Sequence, residues 1–171
     1  MAVIISPAQL TETFTAAQIA LIGINLGDIV EAPNHISRAY GLAKYRLVKL
    51  VDAVDAANKK LAVAATSGVW DVTMDVSGGT ARANLWPIGM FIGTVDVSEA
   101  PYCFVQISGV AAYTAGSAAI IDGDPLMSDT SEDGDLTEAT AGTDENIVGW
   151  SIGTVDDNAE GLVMLSGRMP Q

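Results

Sequence analysis

Hydrophobic and polar residues alternate most cleanly between Val69 and Val76, where Trp70, Val72, Met74 and Val76 fall on one side and Asp71, Thr73 and Asp75 on the other. A period of two marks a half-buried strand, and Ser77-Gly78-Gly79 supplies a turn directly after it. Tyr45 to Val51 reads as a second strand, a β-branched and aromatic run with its charges on alternating sides. Further strands are predicted at Gly89 to Val95, Tyr102 to Ser108, Ala118 to Ile121, Asn146 to Ile152 and Leu162 to Leu165. Between them lie turn residues: Asp122-Gly123-Asp124-Pro125, Glu132-Asp133-Gly134-Asp135 and Asp156-Asp157-Asn158. Asp52 to Lys60 is Ala-rich and fits either one helical turn or a loop. Residues 24 to 41, with Gly27, Pro33, Asn34 and Gly41, read as loop with one brief strand.

Ahead of this region, Ser6-Pro7-Ala8-Gln9 has the chemistry of a helix start, with Ser as N-cap and Gln able to close a capping box. Thr11, Thr13, Phe14 and Thr15 soon bring β-branched and aromatic residues, so the helix is short or the segment is an arm. Leu10, Phe14, Ile19 and Leu21 are its candidate contacts, either on a neighbouring molecule or tucked onto the chain's own sheet. Helices of useful length do not alternate with the strands, which argues against a parallel α/β sheet. The expectation is a mostly β protein, a small antiparallel barrel or sandwich with a short N-terminal helix or arm. Residues 1–25 form the arm with its short helix and residues 26–171 the β domain.

Composition sharpens this picture. Of 171 residues 49% are apolar, enough for a real core, while 17 glycines and only 6% aromatics suit thin sheets with many turns. The net charge is −13, and seven of the eight bases fall between Arg38 and Arg82. From Ala83 to Gly167 there are 14 acids and no Lys or Arg. Such a division fits a molecule with an attached side and a solvent side, unless strands from both halves interleave and cancel it. Nucleic acid is excluded as a partner, because Lys44, Arg46 and Lys49 make too small a basic patch and Asp52 and Asp55 follow it. No run reaches the roughly 18 apolar residues of a membrane span. The opening Met-Ala-Val-Ile-Ile-Ser-Pro lacks the basic and long apolar parts of a signal peptide. The protein is therefore expected in the cytoplasm until assembly.

Candidate chemistry is sparse. Gly149-Trp150-Ser151-Ile152-Gly153 matches the G-x-S-x-G nucleophile elbow, but no His follows it and the single histidine, His35, lies far upstream. Asp129, Ser131, Asp133 and Gly134 imitate the first half of a calcium loop, yet Thr140 stands where a bidentate Glu belongs. Asp122, Asp124, Asp129 and Asp133 remain as a looser cation cluster or as solvated turns. Cys103, the single cysteine, sits in an apolar run and reads as an inert core thiol. Trp70 and Trp150 read as core and Trp86 beside Asn84 as a weak carbohydrate-stacking candidate. No catalytic, cofactor or metal site is assigned, and an enzyme is not expected.

Tyr102-Cys103-Phe104-Val105-Gln106-Ile107-Ser108-Gly109-Val110-Ala111 resembles the strand YGFVQVxGVA of many small head proteins of tailed bacteriophages. Ala115 to Leu126, the acidic turn Ser131 to Leu136, Ile147 to Ile152 and Gly161 to Leu165 are similar to the segments that follow it in that group. Leu26 to Val30 and Tyr45 to Lys49 look like its LGxxV and YxYVK segments. Ile121-Asp122-Gly123-Asp124 departs from the usual apolar-Ala-Gly-Asp, and the first 25 residues have no counterpart. The resemblance implies a capsid decoration or cement protein on the virion surface that binds the major capsid protein and forms a homotrimer. Alternatives are a head-fibre base, a minor tail component, or a carbohydrate- or cell-surface-binding β module.

Overall fold

A computed structural model describes residues 5–6, 8–76, 86–139 and 146–167, and its two β-sheets come from consecutive stretches of the chain. The first sheet holds β1 (Thr13–Phe14), β2 (Ile29–Pro33), β3 (Leu42–Leu50), β4 (Leu61–Ala64), β5 (Asp71–Thr73), β6 (Pro87–Phe91) and β7 (Tyr102–Gln106). The second holds β8 (Gly109–Thr114), β9 (Pro125–Ser128), β10 (Leu136–Glu138), β11 (Gly149–Ile152) and β12 (Glu160–Leu165). Among the described residues one α-helix, α1 (Ala16–Ile22), lies between β1 and β2. The fold is mostly β with a short N-terminal helix, as the alternating pattern predicts.

In the first sheet the pairing runs β3, β5, β4, β6, β7 and returns to β3. The β3–β5 contact is parallel, and it and the β6–β7 contact register only two residue pairs each, so the ring is pinched rather than evenly closed. β2 and β1 extend it on the free edges of β3 and β7. The second sheet is antiparallel throughout, in the order β10-β9-β11-β12-β8. The two sheets share one core: Val48, Leu50, Leu61, Met90 and Val105 from the first meet Ala111, Tyr113, Leu126, Val148 and Val163 from the second. Lys59 and Lys60 stitch the sheets together through ion pairs to Glu160 and Asp135.

β3 is buried on both faces. Val48 and Leu50 enter the shared core, while Ala43, Tyr45 and Leu47 face a second cluster with Leu10, Phe14, Ile19 and Phe104. The charges of β3 therefore do not all reach water: Arg46 is 2% exposed, its guanidinium 4.2 Å from the centre of the Trp70 ring. Gly27 permits this packing, since a β-carbon there would collide with the Trp70 indole, and its φ of +89° suits glycine.

The N-terminal segment lies on its own sheet through Leu10, Phe14 and Ile19, all buried, whereas Leu21 points to solvent at 87% exposure. Ser6 and Gln9 do exchange the expected hydrogen bonds, but they start only a 3-10 turn, Gln9–Thr11. Pro7 lies outside the described residues. The α-helix begins instead at a second capping box, Thr15 with Gln18, and ends at Gly23 with φ +77°. Other expectations also shift. The strand over Val69 to Val76 shrinks to β5, and beyond it the backbone N–H groups of Met74 and Asp75 donate to the Asp52 carboxylate at 3.0 and 3.2 Å. Ala118 to Ile121 keeps only an isolated bridge, Ile120 to Val155. Asp52 to Lys60 is loop, bridged once at Ala56 to Val95. The turn at Ser77-Gly78-Gly79 lies outside the described residues.

A polar seam fastens the turn between the sheets. Gln106 Nε2 donates to the carbonyls of Ser108 and Val110 at 2.9 and 2.8 Å, and Asn34 Nδ2 reaches the same Val110 carbonyl at 2.7 Å. His35 packs edge-on to Tyr45 and lines a cleft of about 450 Å³ with Ala8, Thr11, Asn34, Ser37 and Arg38. Burial lowers the His35 pKa, and the Gln106 side chain offsets part of that effect. Neither His35 Nδ1 nor Gln106 Oε1 has a hydrogen bond of full geometry, so burial dominates. The unfolded chain then binds the proton more readily than the folded one. His35 stabilises fully above the ordinary value of 6.5, and that contribution is lost as pH falls from there toward the folded value. Urea midpoints measured at about pH 7.5 and about pH 5.5 are expected to fall for the wild type and to fall less for His35→Gln. Equal falls would remove the imidazole from the account.

Candidate interaction surface

β11 and β12 form an antiparallel hairpin in which Trp150 sits opposite Met164 and Ile152 opposite Leu162. Directly opposed residues share a face, so these four make one strip. The other phase of the hairpin, Gly149, Ser151, Val163 and Leu165, faces the core. The strip points outward: Trp150 is 45% exposed, Ile152 40% and Met164 45%, with Leu162 half-buried between them. Ala112 of β8, opposite Leu162, and Pro125 of β9, opposite Trp150, extend it on either side. A contiguous apolar face of this kind on a soluble surface marks a contact site more often than scattered single residues do.

Expectation and structure part company at Trp150, which the sequence pattern places in the core. The reason lies in the residues beside it. A β-carbon on Gly149 would collide with the Met164 carbonyl oxygen, so only glycine fits that inward position. Ser151 is 4% exposed, takes a hydrogen bond with the Tyr113 hydroxyl at 3.1 Å and donates to the Gly153 carbonyl at 2.9 Å. Gly153 turns the chain at φ +86°. The G-x-S-x-G residues thus build a strand and its closing turn, and the serine hydroxyl is spent on Tyr113 and Gly153. His35 lies in the first sheet's β2–β3 connection. Cys103 is buried, and loss of solvation pushes its thiol pKa up to about 12.

The four acids weighed as a cation cluster each accept from a different backbone N–H. Asp122 accepts from Gly153 N at 2.7 Å, Asp124 from Ile121 N at 2.8 Å, Asp129 from Ser131 N at 2.7 Å and Asp133 from Val76 N at 3.0 Å. Among the described residues no three His, Cys, Asp or Glu side chains are grouped to hold a metal. Trp86 is 43% exposed, while Asn84 beside it lies outside the described residues.

Charge is divided between the sheets. All strands of the first sheet precede Ile107 and all strands of the second follow Ser108, so they do not interleave. Arg38, Lys44, Arg46 and Lys49 stay with the first sheet. From Gly109 to Gly167 the chain carries twelve acids and no base. Asp122, Asp156 and Asp157, all exposed, lie on the turns next to Ile152 at one end of the apolar strip.

No family model matches this sequence, and no curated protein matches it. Among solved structures, the chain shares its fold with the N base of the head fiber protein of bacteriophage phi29. The match has a TM-score of 0.50 at 13% identity and covers 84% of this chain and 99% of that one. No helix among the described residues is long and apolar enough to cross a membrane.

Proposed function

We propose that this chain is a non-enzymatic structural protein of a tailed-bacteriophage head, a decoration or cement protein that binds the major capsid protein on the virion surface. The observation that carries this reading is the fold shared with a head-fiber base over nearly the whole length of that domain. The segments between Leu26 and Leu165 that resemble those of phage head proteins support it from the sequence side. Cementing asks for many modest contacts repeated over a shell, which avidity strengthens without any single deep site. Self-association as a homotrimer belongs to the same proposal, since trimers match the local three-fold positions of a capsid.

A second reading, the base of a head fibre, draws on the neighbour's own role. Copy number separates the two. Shells lacking the protein are incubated with it and pelleted, and bound copies are counted against the major capsid protein. Saturation near one copy per capsid subunit, with a raised shell melting temperature, is expected of a cement. Saturation far below one copy per capsid subunit would favour the fibre base, and absence of binding would end both.

A further inference from the structure

We infer that the outer face of the β11–β12 hairpin is the docking face, and that its occupant is a protein surface with an apolar centre and a Lys/Arg-rich rim. This rests on the reading of the chain as a head structural protein and assigns the face through which it would attach. Trp150, Ile152, Leu162 and Met164 supply the centre, held rigidly by the four register pairs of the hairpin and by the core beneath. Aromatic residues and methionine are enriched at interface cores, and the rigid Trp150 ring loses little freedom on binding, which favours it as the anchor. An interface of ordinary size takes about 800 Å² from each partner. The strip therefore forms the middle of such a contact and the surrounding turns form its rim.

Charge identifies the partner. The rim at the Ile152 end is anionic, through Asp122, Asp156 and Asp157. Lys59 and Lys60, which reach this sheet from the first, are already committed to Glu160 and Asp135. A second copy docked face to face would set two anionic rims of Asp122, Asp156 and Asp157 against each other. A basic partner relieves that charge and is drawn in by it, so association accelerates at low salt.

The test uses the full chain and shells lacking it. Trp150→Lys and Met164→Lys alter the strip, the double change Asp156→Lys with Asp157→Lys reverses the rim, and Leu21→Lys alters a more exposed apolar residue on α1 as the control. Each strip variant is expected to keep the wild-type urea midpoint and to bind shells about 100-fold more weakly. The rim variant is expected to associate about tenfold more slowly at low salt, a difference that closes as salt rises. Leu21→Lys is expected to bind as the wild type does. Wild-type binding by both strip variants overturns this face while leaving the proposed function in place. Strip variants that bind shells normally but lose concentration-dependent self-association make a second copy the occupant and overturn it too. A wild-type chain that binds no shell overturns the function and this face together.

Discussion

Phe104→Ala is expected to lower the unfolding free energy by about 3–5 kcal/mol, the range for emptying a buried aromatic site. Phe104 is 1% exposed at the centre of the cluster that joins the N-terminal segment to the sheet. It stands on β7, which pairs with β3 along one edge and with β1 and β6 along the other. Its ring meets Phe14 edge-on, with centroids 6.3 Å apart. That pair is worth about 1 kcal/mol beyond the area it buries. Backbone pairing holds the cluster's floor, so the site collapses little and the cavity term stays large. Urea unfolding monitored by circular dichroism measures the loss, and hydrogen exchange over residues 8–24 is expected to accelerate selectively. Phe104→Leu should recover most of the stability. A loss below about 1 kcal/mol for the alanine variant would mean that the N-terminal segment is not held by this cluster.

Gly149→Ala should cost a comparable amount, about 3 kcal/mol, for a different reason. The added carbon would strike the Met164 carbonyl oxygen and approach Val163 Cγ2 to 2.9 Å. The first of these is backbone, locked in the ladder between β11 and β12, and relief requires the two strands to part. Gly153→Ala provides the comparison. Gly153 has φ +86° with open space around it, so its substitution carries only the left-handed backbone cost, about 1 kcal/mol. The two thermal midpoints measured side by side separate steric collision from conformational strain. Equal losses would show that the hairpin absorbs the methyl group and that Gly149 is present for flexibility.

These glycines also mark where local sequence stops being informative. A strand that keeps one side in water was legible, as at β12, and β7, buried on both faces, was legible only through its aromatic and β-branched residues. Leu61–Ala64 was not, because all four residues of β4 are buried and a strand covered on both faces has no alternation to read. The helix posed a subtler problem. Ser6 with Gln9 and Thr15 with Gln18 carry the same capping chemistry, and both sets of hydrogen bonds form. Only the second leads into a helix. After the first, Thr13 and Phe14 are drawn into pairing with Cys103 and Tyr102, a partner some ninety residues away that no local rule registers.

The candidate surface shows the same division. Period two in Gly149-Trp150-Ser151-Ile152 identifies a strand but permits two phases. Hydropathy favours Trp150 and Ile152 inward, and the structure takes the opposite phase. Gly149 and Ser151 fit the crowded ground above Val163 and Tyr113, where larger side chains would not. By itself the sequence determined the β class, the Asp- and Gly-built turns, and the separation of basic from acidic stretches, because each follows from residues close together in the chain. The tertiary structure alone decided which strands became neighbours and which side of the β11–β12 hairpin faced water, since both depend on the space left by partners distant in sequence.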